Sequence, residues 1–164
     1  MWQNWSSSDF FLILTRCPEF GDGGLRHVSS MRQLRRLWIS HASISERGLR
    51  HLAPLVALRE LQLCDAGNLS DSGVRHIARL SRVESLYLRA DRIGDVGIEH
   101  IARMQNLREL WLEGVSAVDF TPLESLRSLR VLGLYNVLIG DDQLGRLRRL
   151  MPSCSIVSRS FAVP

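Results

Sequence analysis

The sequence has no lysine: all 21 of its basic residues are arginine, a bias that codon usage in a GC-rich genome produces without selection for guanidinium chemistry. Cysteine is scarce. Cys17, Cys64 and Cys154 stand far apart without metal-ligand spacing, which argues against a disulfide framework and a zinc site. Long hydrophobic runs are missing. The richest, Phe10-Phe11-Leu12-Ile13-Leu14, falls well short of the about 20 residues a spanning helix needs and has no cationic leader, so a cytoplasmic protein with no membrane contact is expected. Charge of one sign is not concentrated along the chain either. The net charge of +4 permits an acidic partner without requiring one, and the arginines read as scattered, adjacent only at Arg35-Arg36 and Arg148-Arg149. No basic stripe with interleaved aromatics appears, which disfavours nucleic acid as a partner.

What the sequence has is a repeat. The spacing L-x-x-L-x-L occurs as Leu34-x-x-Leu37-x-Ile39, Leu58-x-x-Leu61-x-Leu63, Val83-x-x-Leu86-x-Leu88, Leu107-x-x-Leu110-x-Leu112 and Leu129-x-x-Leu132-x-Leu134, with starts 22 to 25 residues apart. One step back places Phe10-x-x-Ile13-x-Thr15 in the same frame, and one step forward places Met151-x-x-Cys154-x-Ile156, for seven turns in all. A second apolar position follows at Phe20, Ile44, Leu69, Ile93 and Ile139, and a Gly-apolar pair at Gly24-Leu25, Gly48-Leu49, Gly73-Val74 and Gly97-Ile98. With 45% apolar residues the chain can bury one continuous core, each turn resting on its neighbours.

The stretches Ser45-Glu46-Arg47-Gly48-Leu49-Arg50-His51-Leu52, Ser70-Asp71-Ser72-Gly73-Val74-Arg75-His76-Ile77 and Gly94-Asp95-Val96-Gly97-Ile98-Glu99-His100-Ile101 resemble leucine-rich repeat proteins whose second half reads D-x-G-L-x-H-L, a type met in bacterial repeat proteins and in F-box substrate receptors. The resemblance spans about residues 10 to 157. It implies an α/β fold, a right-handed leucine-rich-repeat solenoid or horseshoe with parallel strands on the concave face and short helices on the convex one. It implies a scaffold rather than a reaction. The Asn common after the third leucine is replaced by Ala42, Ala66, Asp91 and Val137, so no full asparagine ladder is expected.

The organisation read from this is an N-terminal segment 1–9 that serves as a makeshift cap, a solenoid of about six coils over 10–150, and a capping half-repeat with a tail over 151–164. If 1–9 is not a cap, the first strand is a bare edge open to end-to-end self-association. Ser45 and Ser70 are candidate N-caps, Asp71 and Asp95 sit where a helix dipole favours negative charge, and the recurrent Gly fits a close approach between coils. Thr121-Pro122-Leu123-Glu124 reads as a capping box on a short, 3₁₀-like turn.

Alternate strand residues point away from the leucine core. The central outward column reads Leu14, Trp38, Gln62, Tyr87, Trp111 and Gly133, flanked by Leu12, Arg36, Glu60, Ser85, Glu109 and Val131 on one side and Arg16, Ser40, Cys64, Arg89, Glu113 and Tyr135 on the other. Trp38, Tyr87 and Trp111 with Arg36, Arg89, Glu109, Glu113, Gln62 and Tyr135 have the composition of a protein-binding hot spot. The blander reading is that these rings shield neighbouring strands. His27, His51, His76 and His100 repeat on successive helices about 10 Å apart, too far for one metal ion whose imidazole bonds are about 2.0–2.1 Å. Gly21-Asp22-Gly23-Gly24 lacks the Lys-Ser/Thr ending of a phosphate loop, and Asp22, Asp71, Asp95 and Asp141 fall in different coils. No catalytic residue, cofactor or metal site is read. The expected function is a non-catalytic module that binds another protein through its concave face; the F-box resemblance implies the alternative, the substrate-recognition part of a larger ligase or enzyme complex, and nucleic-acid binding is the least favoured.

Overall fold

The computed structural model describes residues 10–66 and 68–159. Each L-x-x-L-x-L unit forms one five-residue strand: β1 (Phe11–Thr15), β2 (Arg36–Ser40), β3 (Glu60–Cys64), β4 (Ser85–Arg89), β5 (Glu109–Glu113), β6 (Val131–Tyr135) and β7 (Ser155–Arg159). They make one parallel sheet in sequence order, every strand pairing only with its neighbours in the chain. Such a sheet arises when each chain reversal passes behind the sheet and returns one strand over. Helical segments make that return: α1 (Asp22–Val28), a 3₁₀ turn at Gly48–Leu52, α2 (Asp71–Ile77), α3 (Asp95–Ile101), a 3₁₀ turn at Thr121–Ser125 and α4 (Asp141–Leu150). The architecture is the α/β leucine-rich-repeat solenoid expected from the sequence.

Period 2 along the strands explains the core. Leu37, Leu61, Leu86, Leu110 and Leu132 align in register and are fully buried, with the helical Leu49, Val74, Ile98 and Leu123 behind them. All join one apolar cluster that runs the length of the described chain. Where an asparagine ladder is absent, Ala42, Ala66 and Val137 simply join that core, whereas Asp91 is exposed. Among the described residues no helix is long and apolar enough to cross a membrane.

The first strand departs from the sequence reading by one residue. Leu12 pairs with Leu37 and Leu14 with Ile39, so Leu12 and Leu14 are core, while Ile13 is 42% and Phe10 40% exposed. A one-residue slip exchanges the two faces of a strand, and here the uniformly apolar Phe10–Leu14 run contains no alternation to fix the frame. The outward column therefore starts at Ile13, not Leu14, and its neighbours at Phe11 and Thr15, not Leu12 and Arg16. The last strand slips by two: Ile156 pairs with Leu132 rather than Leu134, which keeps the faces and carries β7 through Arg159. The proposed cap over residues 1–9, and residues 160–164 of the tail, lie outside the described residues.

The helix starts also differ. Ser45 does accept the Gly48 N–H at 3.1 Å, but the Ser70 hydroxyl donates to Glu46 of the preceding coil and makes no cap bond. At the fifth coil no capping box forms around Thr121; Asp119 accepts the Thr121 N–H at 2.9 Å instead. Asp71 and Asp95 are in the first helical turn, yet their carboxylates reach sideways. Asp71 accepts Gly94 N–H at 2.7 Å and Gly97 N–H at 3.0 Å, and Asp95 accepts Val118 N–H and Asp119 N–H at 2.8 and 2.9 Å. Asp22 binds the N–H and hydroxyl of Ser45, Glu46 the hydroxyls of Ser70 and Ser72, and Asp119 the amide of Gln143. A carboxylate in one slot of each coil thus ties that coil to the next. The same contact requires glycine in two of the four slots, where a Cβ on Gly48 or Gly97 would lie 2.0 or 2.6 Å from the carboxylate oxygen of Asp22 or Asp71; in the other two a Cβ on Gly24 would meet the Phe20 ring and one on Gly73 the side chains of Leu69 and Leu49.

Candidate binding face of the sheet

Position alternation sets Trp38, Gln62, Tyr87 and Trp111 on the face opposite the core, and all four are half-buried. The half-burial of the two tryptophans has a cause: each indole lies against an adjacent strand. Trp38 meets the Phe11 ring edge-on at 4.8 Å, and its indole N–H donates to Glu60 at 2.7 Å. Trp111 lies over Gly133, where a Cβ would come within 2.0 Å of the indole, and stacks on Tyr135 at 5.8 Å and 5°. Shielding of neighbouring strands is therefore part of what these aromatics do.

Their polar ends are tied down as well. The Tyr87 hydroxyl donates to Glu113, and Arg89 stands between Asp65 at 3.4 Å and Glu113 at 3.8 Å, with His41 3.8 Å from Asp65. This chain of contacts crosses four coils. Burial, and then the Glu113 contact, push the Tyr87 hydroxyl well above its ordinary range, so it stays a neutral donor. Burial likewise raises the Cys64 thiol to about 11, which leaves it a thiol rather than a nucleophilic thiolate. Gln62 donates to Glu60 at 2.9 Å, and Arg36 lies 4.9 Å over the Phe11 ring.

The sequence-predicted residues divide between two depressions. Arg36, Gln62, Tyr87, Glu109 and Trp111 line a hollow of about 480 Å³ in the middle of the sheet face. Arg89 and Glu113 instead line a larger open groove of about 990 Å³ along the strand ends, beside Asp65, Asp91 and Asn136. Trp38 and Tyr135 flank the hollow through their contacts with Glu60 and Trp111. Sequence reasoning did not select Glu60, although it orients both Trp38 and Gln62, or Arg59, Glu84 and Arg108, which complete the hollow's wall. Glu60 was visible in an outward column; the other three precede or begin the strands, where alternation gives no signal.

The groove has a backbone origin. Arg16, His41, Asp65, Gly114 and Asn136, each just after a strand, have φ between 48° and 69°. Each donates its N–H to the carbonyl of the last residue of the next strand, for example Asp65 to Arg89 at 3.2 Å and Asn136 to Arg159 at 2.8 Å. A left-handed conformation costs a non-glycine residue about 1–2 kcal/mol, and the cross-coil hydrogen bond offsets it. Gly, Asn and Asp tolerate this region best, which is the signal that marks the slot in the sequence.

Among the described residues no cluster of three or more His, Cys, Asp or Glu can hold a metal ion. His27, His51, His76 and His100 each lie on a different helical segment. Burial, and then the charges of Arg79, Arg75 and Arg50, hold His76 below its ordinary pKa, so it stays neutral near pH 7.

No protein-family model matches the sequence, and no curated protein matches it either. Solved structures do share its fold. A chain of the yeast Rad7–Elc1 complex superposes with a TM-score of 0.69 at 24% identity over 89% of this chain and 40% of that one. Internalin C2 of Listeria monocytogenes gives 0.64 at 20% identity over 94% of this chain and 74% of that one. An internalin F of the same organism gives 0.59 at 16% identity over 84% and 46%. The chain is thus similar in fold to leucine-rich-repeat proteins and spans less than half the length of two of the three.

Proposed function

We propose that the chain is a non-catalytic, cytoplasmic module that binds another protein through the sheet face, with Trp38, Tyr87 and Trp111 as anchors and Arg36, Gln62, Arg89, Glu109, Glu113 and Tyr135 around them. The carrying observation is the hollow that sets the rings of Tyr87 and Trp111 among Arg36, Gln62 and Glu109, with the Tyr87 hydroxyl held by Glu113 and the Trp111 ring stacked on Tyr135. Side chains held in place before a partner arrives lose little rotamer freedom on binding, and half-buried aromatics beside arginine are the usual hot-spot composition. The Rad7–Elc1 neighbour was solved as a complex with a second protein, which accords with an interaction role.

The test compares affinity capture from host extract by the native protein, by Tyr87→Ala with Trp111→Ala, and by the helix-side variant Glu99→Ala, with mass spectrometry of what each retains. A protein retained by the native chain and Glu99→Ala but lost by the double variant supports the reading; equal retention by all three refutes it. The alternative, recognition part of a larger ligase or enzyme complex, draws on the Rad7–Elc1 neighbour being itself a complex and predicts catalytic subunits among the retained proteins. We further propose end-to-end self-association through β1, which among the described residues pairs only with β2 and has the exposed Ile13 within it and the exposed Phe10 just before it. Sedimentation should then depend on concentration, and a single monomeric species throughout would exclude it.

A further inference from the structure

The arginines that look scattered along the chain are gathered in space. The residue just before or at the start of successive strands is Arg35, Arg59, Glu84, Arg108 and Arg130, and the backbone aligns them in one column. Arg59 N–H donates to the Arg35 carbonyl at 2.8 Å, Glu84 to Arg59, Arg108 to Glu84 and Arg130 to Arg108, each at 2.7 Å. All four arginines are exposed. The half-buried Glu84 is held by Arg59 and, at 3.5 Å, by Arg108, so its charge is compensated. Arg35 and Arg130 meet no carboxylate among the described residues, and neither do the exposed Arg82 and Arg127 on the turns that lead into β4 and β6. Asp22, Glu46, Asp71, Asp95 and Asp119 are engaged instead in the coil-to-coil hydrogen bonds of the helix starts, while Glu60, Glu84 and Glu109 lie beside Arg59 and Arg108, and Glu124 beside Arg127 and Arg130. The arginines outnumber the carboxylates along the strand starts, which makes that rim basic.

We propose that this strand-start rim binds the phosphate backbone of nucleic acid without reading its sequence. The column crosses four strand steps of about 4.8 Å, roughly 19 Å. One nucleic-acid strand presents a phosphate for about every 3.4 Å of rise, so five or six phosphates pass along the rim, where each of the four arginines without a carboxylate partner can meet one. Arginine's planar fork matches a phosphate in two places. The column contains no aromatic residue, so there is no platform for bases to stack on. Its lack of an apolar anchor also sets it apart from the sheet face, where the rings of Tyr87 and Trp111 supply one. The two surfaces share only Arg59, Glu84 and Arg108, at the wall of the hollow.

The test is fluorescence anisotropy of a short labelled DNA duplex of mixed sequence with the full chain, titrated between about 50 and 200 mM NaCl. Four phosphate contacts predict a loss of affinity of about 10²-fold across that range. Replacing the four unpaired arginines, as Arg35→Gln, Arg82→Gln, Arg127→Gln and Arg130→Gln together, should lower the salt slope by about 4. Circular dichroism checks that the variant remains folded, and Val96→Ala, at an exposed position on α3, should bind the duplex as the native chain does. No binding at the lowest salt, or an unchanged slope in the four-arginine variant, overturns the proposal. So does tighter binding of a polyglutamate chain with the same dependence on these arginines, which would assign the rim to an acidic protein segment.

Discussion

Asp71 offers a direct test of how the coils hold together. Its Oδ1 accepts two backbone N–H groups of the next coil, from Gly94 at 2.7 Å and Gly97 at 3.0 Å. A hydrogen bond to a charged group contributes about 1.5–3 kcal/mol. Asp71 is half-buried, so water recovers part of the loss in a variant, and the lower end of that range applies. Asp71→Ala should then cost about 3 kcal/mol, which for a chain of this length lowers Tm by about 6–12 °C. Asp71→Asn keeps an oxygen in place but makes both bonds neutral, about half as strong, and should cost about 1.5 kcal/mol. Both variants lose the same helix-start charge, so the difference between them isolates the bonds to the next coil. Urea unfolding gives the free energies, and amide hydrogen exchange gives the location. Protection should fall at Gly94 and Gly97 first, because a stacked solenoid yields at its weakened interface. Equal cost for Ala and Asn, or a cost below about 0.5 kcal/mol for Ala, the range of an ordinary surface change, would refute this account of the ladder.

Other consequences are as specific. The register of β1 predicts that Leu12→Thr costs about 2 kcal/mol or more, as expected for a buried leucine, while Ile13→Thr is nearly neutral; equal Tm losses would restore the frame in which Ile13 is core. Gly133→Ala would drive a Cβ into the Trp111 ring, so it should lift the indole off Tyr135, red-shift tryptophan emission and cost about 1–3 kcal/mol, whereas unchanged emission would mean that the ring does not cover that strand. Hydrogen bonds from Ser70 and Ser72 hold the Glu46 carboxyl below its ordinary value of 4.5. The unfolded chain therefore binds this proton more tightly, and the contribution is fully present above about pH 4.5 and lost as pH falls through the lowered folded value. Glu46→Gln should flatten the fall of Tm in that acid window, and an unaltered profile counts against the Ser70 and Ser72 bonds.

The spacing of leucines made the strands, their order and the buried face legible, because a six-residue signature with period 2 has one solution once it repeats. The frame failed at Phe10–Leu14 for want of a polar residue between the apolar ones. The carboxylate ladder was half visible: Asp22, Asp71 and Asp95 recur in one slot, but a bond from one coil to the next leaves no trace within a single unit. Arg35, Arg59, Arg108 and Arg130 looked dispersed for a related reason, since residues 22 to 49 positions apart in sequence become neighbours only when coils stack. The outward aromatics were found by alternation alone. Their half-burial was not, because it depends on what stands one strand away: Gly133 leaves room for Trp111, and Phe11 and Glu60 receive Trp38.

Photocrosslinking tests the docking face most directly. A benzoylphenylalanine placed at Gln62, on the floor of the hollow, and another at Glu99, on the exposed side of α3, are each irradiated in host extract. The account predicts a discrete protein adduct from position 62 that Tyr87→Ala removes, and none from position 99. An adduct from 99 with nothing from 62 would contradict it and move the interaction to the helices.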